Sequence, residues 1–169
     1  TYEQLSFSHT DTKAYEYSYI PKGDDYFTED SVLEDTDFFA DVTVLSARLD
    51  SDSAHYTLRI NSLVSKTGEE SETNITIESS TPYIMQENRE YFIPLRKENS
   101  TYSMAFENAP QIEISLDGDI VFQNGWKSLD DDSGILKDSQ KIKNDYFYDR
   151  MRYSSKNDLQ DLLAKWRTM

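Results

Sequence analysis

The side chains that could carry chemistry in this chain are two histidines, a large supply of carboxylates and twelve tyrosines. Cysteine is absent, which removes thiol nucleophiles, thiolate metal sites and disulfides. His9 sits in a polar segment and His55 opens an alternating one, and neither has a second histidine at the i, i+4 spacing of a helical zinc site. There is no G-x-S-x-G elbow, no phosphate-binding P-loop and no G-x-G-x-x-G; the five glycines are too few and too scattered. Carboxylates are so abundant that spacing nominates no particular pair for acid–base work. The run Asp130-Asp131-Asp132 does not follow the alternation of an EF-hand loop; weak calcium binding at Asp130, Asp132 or the Asp117/Asp119 turn is the one metal idea the acids raise. The expectation is therefore a non-enzymatic chain with no catalytic residue, no resident metal and no cofactor.

Two features suit binding instead. In Ala14-Tyr15-Glu16-Tyr17-Ser18-Tyr19-Ile20 a tyrosine recurs at every second position, so an extended strand sets Tyr15, Tyr17 and Tyr19 on one face. Such a face either covers a sheet or serves as a stacking platform for sugar or peptide, since each ring offers apolar area with a polar tip. The second feature is Arg59, on the polar face of a later strand. Tyr15, Tyr17, Tyr19 and Arg59 are the candidate binding residues.

Composition narrows the partners. The net charge is −15, a field that repels phosphate backbones and argues against nucleic acid. The charge is uneven. Residues 1–39 hold ten acids against Lys13 and Lys22, whereas residues 141–169 hold seven bases against Asp145, Asp149, Asp158 and Asp161. A basic tail of this kind either solvates the surface, docks on the acidic body or faces an anionic surface. No run of about 18 apolar residues exists, so no transmembrane segment is expected. The chain starts at Thr1 without Met, which fits a processed or truncated product. The acidic, Ser/Thr/Asn/Tyr-rich composition and the lack of Cys favour an extracellular or cell-surface location.

The elements that must position these residues read mainly as strands. Thr28–Asp35 suits a short helix with Thr28 as N-cap and Glu29 and Asp30 at its positive end. Phe38–Arg48 and His55–Val64 are two long strands joined by the polar turn at Asp50–Ser53. In the second, Tyr56, Leu58, Ile60 and Ser62 share one face and Thr57, Arg59 and Asn61 the other. Asn74–Glu78, Arg89–Leu95, Thr101–Glu107, Gln111–Leu116 and Asp119–Gln123 continue the pattern, with Ile112, Ile114 and Leu116 expected inward. Pro94 should lie at an edge or bulge, and Asp117-Gly118 and Asn124-Gly125 are turn signals. From Ile135 helix-compatible residues dominate. Ser155 and Asp158 have capping-box spacing, and Leu159, Leu162, Leu163 and Trp166 form one apolar helix face. The expectation is one mainly β domain: an antiparallel OB-like barrel or sandwich with a short N-terminal helix and a C-terminal helix. Residues 1–27 form an arm and the Tyr-rich strand, 28–125 the β core, and 126–169 a helical extension.

The order of these segments carries a resemblance. Ser31-Val32-Leu33-Glu34-Asp35 precedes the strand Ala40-Asp41-Val42-Thr43-Val44. Tyr56–Ile60, Ile75–Glu78, Glu87–Leu95 and Tyr102-Ser103-Met104 follow, before Asp117-Gly118. Over about 85 residues, roughly half the chain, this order resembles small secreted or lipid-anchored domains of Gram-positive bacteria. The resemblance implies an OB-like barrel related in shape to netrin and metalloproteinase-inhibitor modules. Ser46 and Asn88 stand where Gly is usual in that pattern, and Pro94 interrupts the last run. Those inhibitors hold zinc through an N-terminal Cys; this chain has none, so that activity does not carry over. The reading is a binding or interaction module outside the cell or on its envelope, with a protein or cell-wall partner. The alternative is a barrel carrier or enzyme with an internal pocket.

Overall fold

A computed structural model describes residues 28–49, 53–80, 84–107, 109–121, 147–151 and 154–169. Tyr15, Tyr17, Tyr19, His9 and the acidic run at 130–132 lie outside the described residues, as do Asn124-Gly125 and positions 50–52 of the first expected turn.

Helix α1 (Glu29–Glu34) starts where the Thr28 hydroxyl accepts the Ser31 N–H at 3.2 Å, with Glu29 and Asp30 in its first turn. Its Val32 and Leu33 are fully buried. It leads into a seven-stranded antiparallel sheet: β1 (Phe38–Leu49), β2 (Ala54–Val64), β3 (Asn74–Ser79), β4 (Glu90–Glu98), β5 (Thr101–Met104), β6 (Ile112–Ile114) and β7 (Ile120–Val121). The order is β3-β2-β1-β4-β6-β7, with β5 also on β4. The sheet is mainly built from alternating apolar residues and does not close. β3 and β5 approach one another, but no ladder joins them.

The strand β4 shows how Pro94 is accommodated. β5 pairs with positions 95–98 of β4 and β6 with positions 90–92, so the two lie end to end on the edge away from β1. The chain leaves that edge after Ala105, whose N–H is accepted by the Pro94 carbonyl at 3.0 Å. The proline nitrogen faces the same side, at the break, so its missing N–H removes no bond to β1. The β4–β5 hairpin closes on Asn99 and Ser100, both at positive φ (48° and 72°), as a two-residue type I′ loop requires.

Two bulges correct the alternation expected from the sequence. Between Asp41/Val42 and Ser62/Ile60 the residue Asn61 is extra, and between Val44/Ser46 and Leu58/Thr57 Leu45 is extra. Past Asn61 the phase flips, so Ser62 is exposed and Leu63 is buried. Leu45 is pushed outward. Leu116 also departs from expectation: it sits in the β6–β7 turn, 83% exposed, rather than in the core.

The sheet carries a core on each side. On the inner side Ala40, Val42, Val44, Tyr56, Leu58, Ile75, Ile77, Tyr91, Ile93, Leu95, Tyr102 and Met104 pack together, joined by Ile84 and Met85 of the β3–β4 connection. On the other side Phe39, Val64, Phe92, Ile112, Ile114 and Ile120 meet α1, α2 (Phe147–Arg150) and α3 (Lys156–Arg167). α3 begins where the Asp158 carboxylate accepts the Ser155 N–H at 2.8 Å. Leu159, Leu162 and Trp166 are buried and Leu163 packs at the margin. The Trp166 ring meets Phe39 edge-on, Phe39 stacks on Phe92, and the Trp166 Nε1–H donates to the Leu33 carbonyl at 3.0 Å. The apolar stripe of the C-terminal helix is thus spent on its own sheet. The basic tail meets the acidic body: Lys165 pairs with Glu29 and Asp30, and the Arg167 guanidinium donates to the Ser65 and Gly68 carbonyls. No described helix is long and apolar enough to cross a membrane.

Candidate functional site: the open face of β1–β3

α3 covers only one end of the outer face. Towards the other end of β1, β2 and β3 the same face carries Ser46, Arg48, His55, Thr57, Arg59, Asn74, Thr76 and Glu78. Strand pairing places them side by side: Ser46 with Thr57, Arg48 with His55, Arg59 with Asn74, Thr57 with Thr76, and His55 with Glu78. β-branched threonines suit this position, because they fit a pleated, half-exposed surface while offering a hydroxyl.

A half-open cleft of about 560 Å³ lies at this end of the sheet. It is lined by Ser46, Arg48, His55, Thr57, Thr76 and Glu78, by the intervening Ala47, Tyr56 and Ile77, and by Thr101 and Tyr102 of β5. The cleft is therefore bounded by residues flanking the β1–β2 turn and by those just past the β4–β5 hairpin. Tyr102 is held from two sides: its ring meets Phe38 edge-on at 5.7 Å, and the Lys97 ammonium lies 5.0 Å from its centroid.

His55 shows what the cleft can and cannot do. Its Nε2 lies 3.3 Å from Ser53 Oγ and 4.0 Å from Glu78 Oε1. A Ser–His–carboxylate relay needs the hydroxyl at one ring nitrogen and the carboxylate at the other. Here both meet the same nitrogen, so the three residues do not form a relay. What the cleft offers is hydroxyls, an imidazole, one exposed guanidinium (Arg48) and a tyrosine edge, a set suited to hydrogen-bonding a polar ligand.

Arg59 is exposed on the same face, one residue pair beyond the cleft, and donates to Thr43 Oγ1 at 3.3 Å. Thr43 Oγ1 also accepts from Asn61 Nδ2 at 3.1 Å, and Asn61 Nδ2 lies 3.1 Å from Asp41 Oδ1. The first bulge explains this: the extra residue Asn61 is aimed at Asp41 and Thr43 on β1. On its far side Asp41 meets Lys156 at 3.4 Å, and Lys156 reaches Glu90 at 3.0 Å. Burial, and then the neighbouring Asp41, push the Glu90 carboxyl up to about 7, against the pull of Lys156. Glu90 in turn raises Lys156, partly offset by burial.

A second polar group lies inside the sheet. Arg89 and Glu113, both with fully buried side chains, are 3.5 Å apart. The Tyr91 hydroxyl accepts the Gln86 N–H at 2.8 Å, and the Tyr56 hydroxyl accepts the Met85 N–H at 3.1 Å. Burial pushes Glu113 up to about 7 against the opposing influence of Tyr91 and Arg89, and burial raises the phenols of Tyr91 and Tyr56 as well. This group is packed within the inner core, and its Tyr56 also lines the cleft described above.

Of the candidates named from sequence, Arg59 falls on the open face beside the cleft, and Tyr15, Tyr17 and Tyr19 lie outside the described residues. Sequence reasoning missed the hydroxyl-lined cleft, the Asp41–Glu90–Lys156 cluster and the Arg89–Glu113 pair. One signal was available: Asp41 alternates in phase with Phe39, and Glu90 with Phe92, so acids stand at positions where the pattern asks for apolar residues. Among the described residues no group of three or more histidines, cysteines or acids could hold a metal ion. No protein-family model matches this chain, and no curated protein matches it.

Proposed function

We propose that this chain is a non-enzymatic binding module of OB-like build that takes an elongated polar ligand on the open face of β2 and β3, outside the cell or at its envelope. The observation that carries this reading is the position of the cleft. The strand order β3-β2-β1-β4-β5, with β3 facing β5 across an open seam, is compatible with a partly open OB-like barrel, whose ligands lie across strands 2 and 3 between the β1–β2 and β4–β5 connections. The cleft here is bounded by residues of those same parts. The charge of −15 disfavours oligonucleotides, which leaves uncharged glycan or peptide, and the hydroxyl-rich lining suits either. The acidic composition without Cys supports the extracellular setting. The C-terminal helix offers no free apolar stripe to a partner, because Leu159, Leu162 and Trp166 are buried against the chain's own sheet.

The test is an amide NMR titration of the whole chain with soluble cell-wall fragments, glycan oligomers and stem peptides separately. Shifts clustered at Thr57, Thr76 and Tyr102, lost in Thr57→Trp, are the expected outcome. Shifts confined to other parts of the molecule, or none with either fragment class, would overturn the assignment.

A further inference from the structure

The open face is joined to the start of the C-terminal helix by a continuous polar chain, and one member of that chain is poised to change charge near neutrality. We propose that Asp41, Glu90 and Lys156 form a proton-controlled clasp that sets how firmly the start of α3 is held and passes its state to Arg59 on the binding face.

The geometry supplies the parts. Asp41 on β1 is 8% exposed, and its two oxygens have different partners: Oδ1 accepts from Asn61 on β2, and Oδ2 faces Lys156 on α3. Glu90 on β4 completes the group at 3.0 Å from Lys156. Among the described residues the charged groups that face Glu90 are Asp41 from β1 and Lys156 from α3, and Arg59 of β2 is reached through Asn61 and Thr43. Two carboxylates this close, partly withdrawn from water, favour a proton between them. Burial and Asp41 move Glu90 to about 7, which places the change within the ordinary range of environments.

The direction follows from reciprocity. Lys156 holds the Glu90 proton off, so a proton on Glu90 must weaken the hold of Lys156 by the same free energy. Above neutrality the ammonium bridges two carboxylates and the start of α3 is tied to β1 and β4. Below neutrality Glu90 donates its O–H to Asp41, the bridge loses one anchor, and Asp41 redistributes its interactions. The same carboxylate orients Asn61, which shares Thr43 Oγ1 with Arg59, so Arg59 feels the change.

The clasp rests on the preceding reading only in taking the Arg59 face as the ligand face. Its test uses no ligand, so the two ideas fail separately. Side-chain carboxyl NMR of the full chain from pH 5 to 8.5 should give a Glu90 midpoint near 7. The Arg59 Hε signal and the amides of Lys156–Leu159 should move with that same midpoint. Asp41→Asn should lower the Glu90 midpoint by about one unit or more and abolish the Arg59 response. Lys156→Met, at a half-exposed position that tolerates the change, should raise it. A wild-type Glu90 midpoint near the ordinary carboxylate value, or an Arg59 signal that ignores it, would overturn the proposal whatever the variants do.

Discussion

One sheet here separates two cores that handle charge in opposite ways. On the helix side, Phe39, Phe92, Leu159, Leu162 and Trp166 make an apolar core, and the ion pairs that accompany it, Lys165 with Glu29 and Lys156 with Glu90, sit at its margin with both partners partly exposed. On the inner side an ion pair, Arg89 with Glu113, lies within the core with both side chains at zero exposure, beside the phenols of Tyr91 and Tyr56. The contrast teaches that proximity of opposite charges says little about stability until burial is known. A marginal pair is already solvated and gains little from its partner. A buried pair has surrendered its solvation, so each partner depends on the other, although the pair as a whole need not be better than an apolar replacement.

Breaking the buried pair from one side is the largest effect expected. Arg89→Leu should cost about 3–5 kcal/mol at pH 8 by denaturant unfolding, because Glu113 loses its counter-charge in an apolar interior and must stay ionised there or take a proton from a basic solution. The loss should shrink at pH 5.5, where Glu113 already carries a proton and needs no counter-charge. Replacing both partners, Arg89→Leu with Glu113→Leu, should recover much of the loss. If the single and double variants are equally destabilised, the two residues do not act as a pair.

The helix-side core should respond with comparable size and a different signature. Leu162→Ala removes a side chain that is 5% exposed between α3 and the sheet, and should cost about 2–5 kcal/mol from lost burial and the cavity left behind. That cost should be the same at pH 5.5 and pH 8, since the core cluster that holds Leu162 is built from apolar and aromatic residues that keep one protonation state over that range. A pH-dependent loss would show that the apolar core and the Lys156 clasp are one unit rather than neighbours.

The wild type should carry the difference in its own pH profile. The folded-state Glu113 carboxyl lies at about 7, above the value of a free glutamate, so the native state binds this proton more tightly than the unfolded chain does. Its contribution to stability is complete below pH 4.5 and is lost as pH rises through 7. Over that interval the unfolding free energy should fall by up to about 3 kcal/mol, read as a denaturant midpoint that drops from pH 5 to pH 8. Glu90, raised in the same direction, adds to the trend. A midpoint that rises across this interval would mean that Arg89 keeps Glu113 ionised.

Much of this architecture could be read from the chain, and the unread parts have a common cause. Alternation and turn residues locate β1 to β7, because strands such as β3 and β5 bury every second residue and a tight reversal needs a permissive backbone, as at Gly118 with φ of 85°. Leu159, Leu162, Leu163 and Trp166 mark the buried stripe of α3 by spacing alone. The bulges at Asn61 and Leu45 were not legible, since an extra residue changes phase without any signature in its own identity. Glu113 reads as a wet position between Ile112 and Ile114, yet β6 is covered on both faces, a tertiary fact that no local pattern contains. The clasp and the cleft have a related cause: Asp41 and Glu90 stand out only as acids at apolar positions and meet Lys156 only after folding, and Thr57 and Thr76 are unexceptional residues until pairing sets them side by side.

The smallest effect belongs to the margin of the helix-side core. Lys165 raises an ion pair with Glu29 and a longer contact to Asp30, and Glu29 in turn holds the Lys165 ammonium more strongly protonated than usual. Read from distance alone, this is a stronger pair than Arg89 with Glu113. Its partners, however, keep much of their hydration, and ordering two long side chains offsets the attraction. Lys165→Met should leave the denaturant midpoint unchanged within error at physiological salt and remove only a small salt dependence near low ionic strength. A loss approaching that of Arg89→Leu would mean that the seam between α1 and α3 is effectively dry, and the distinction between the two cores would then rest on composition rather than on solvation.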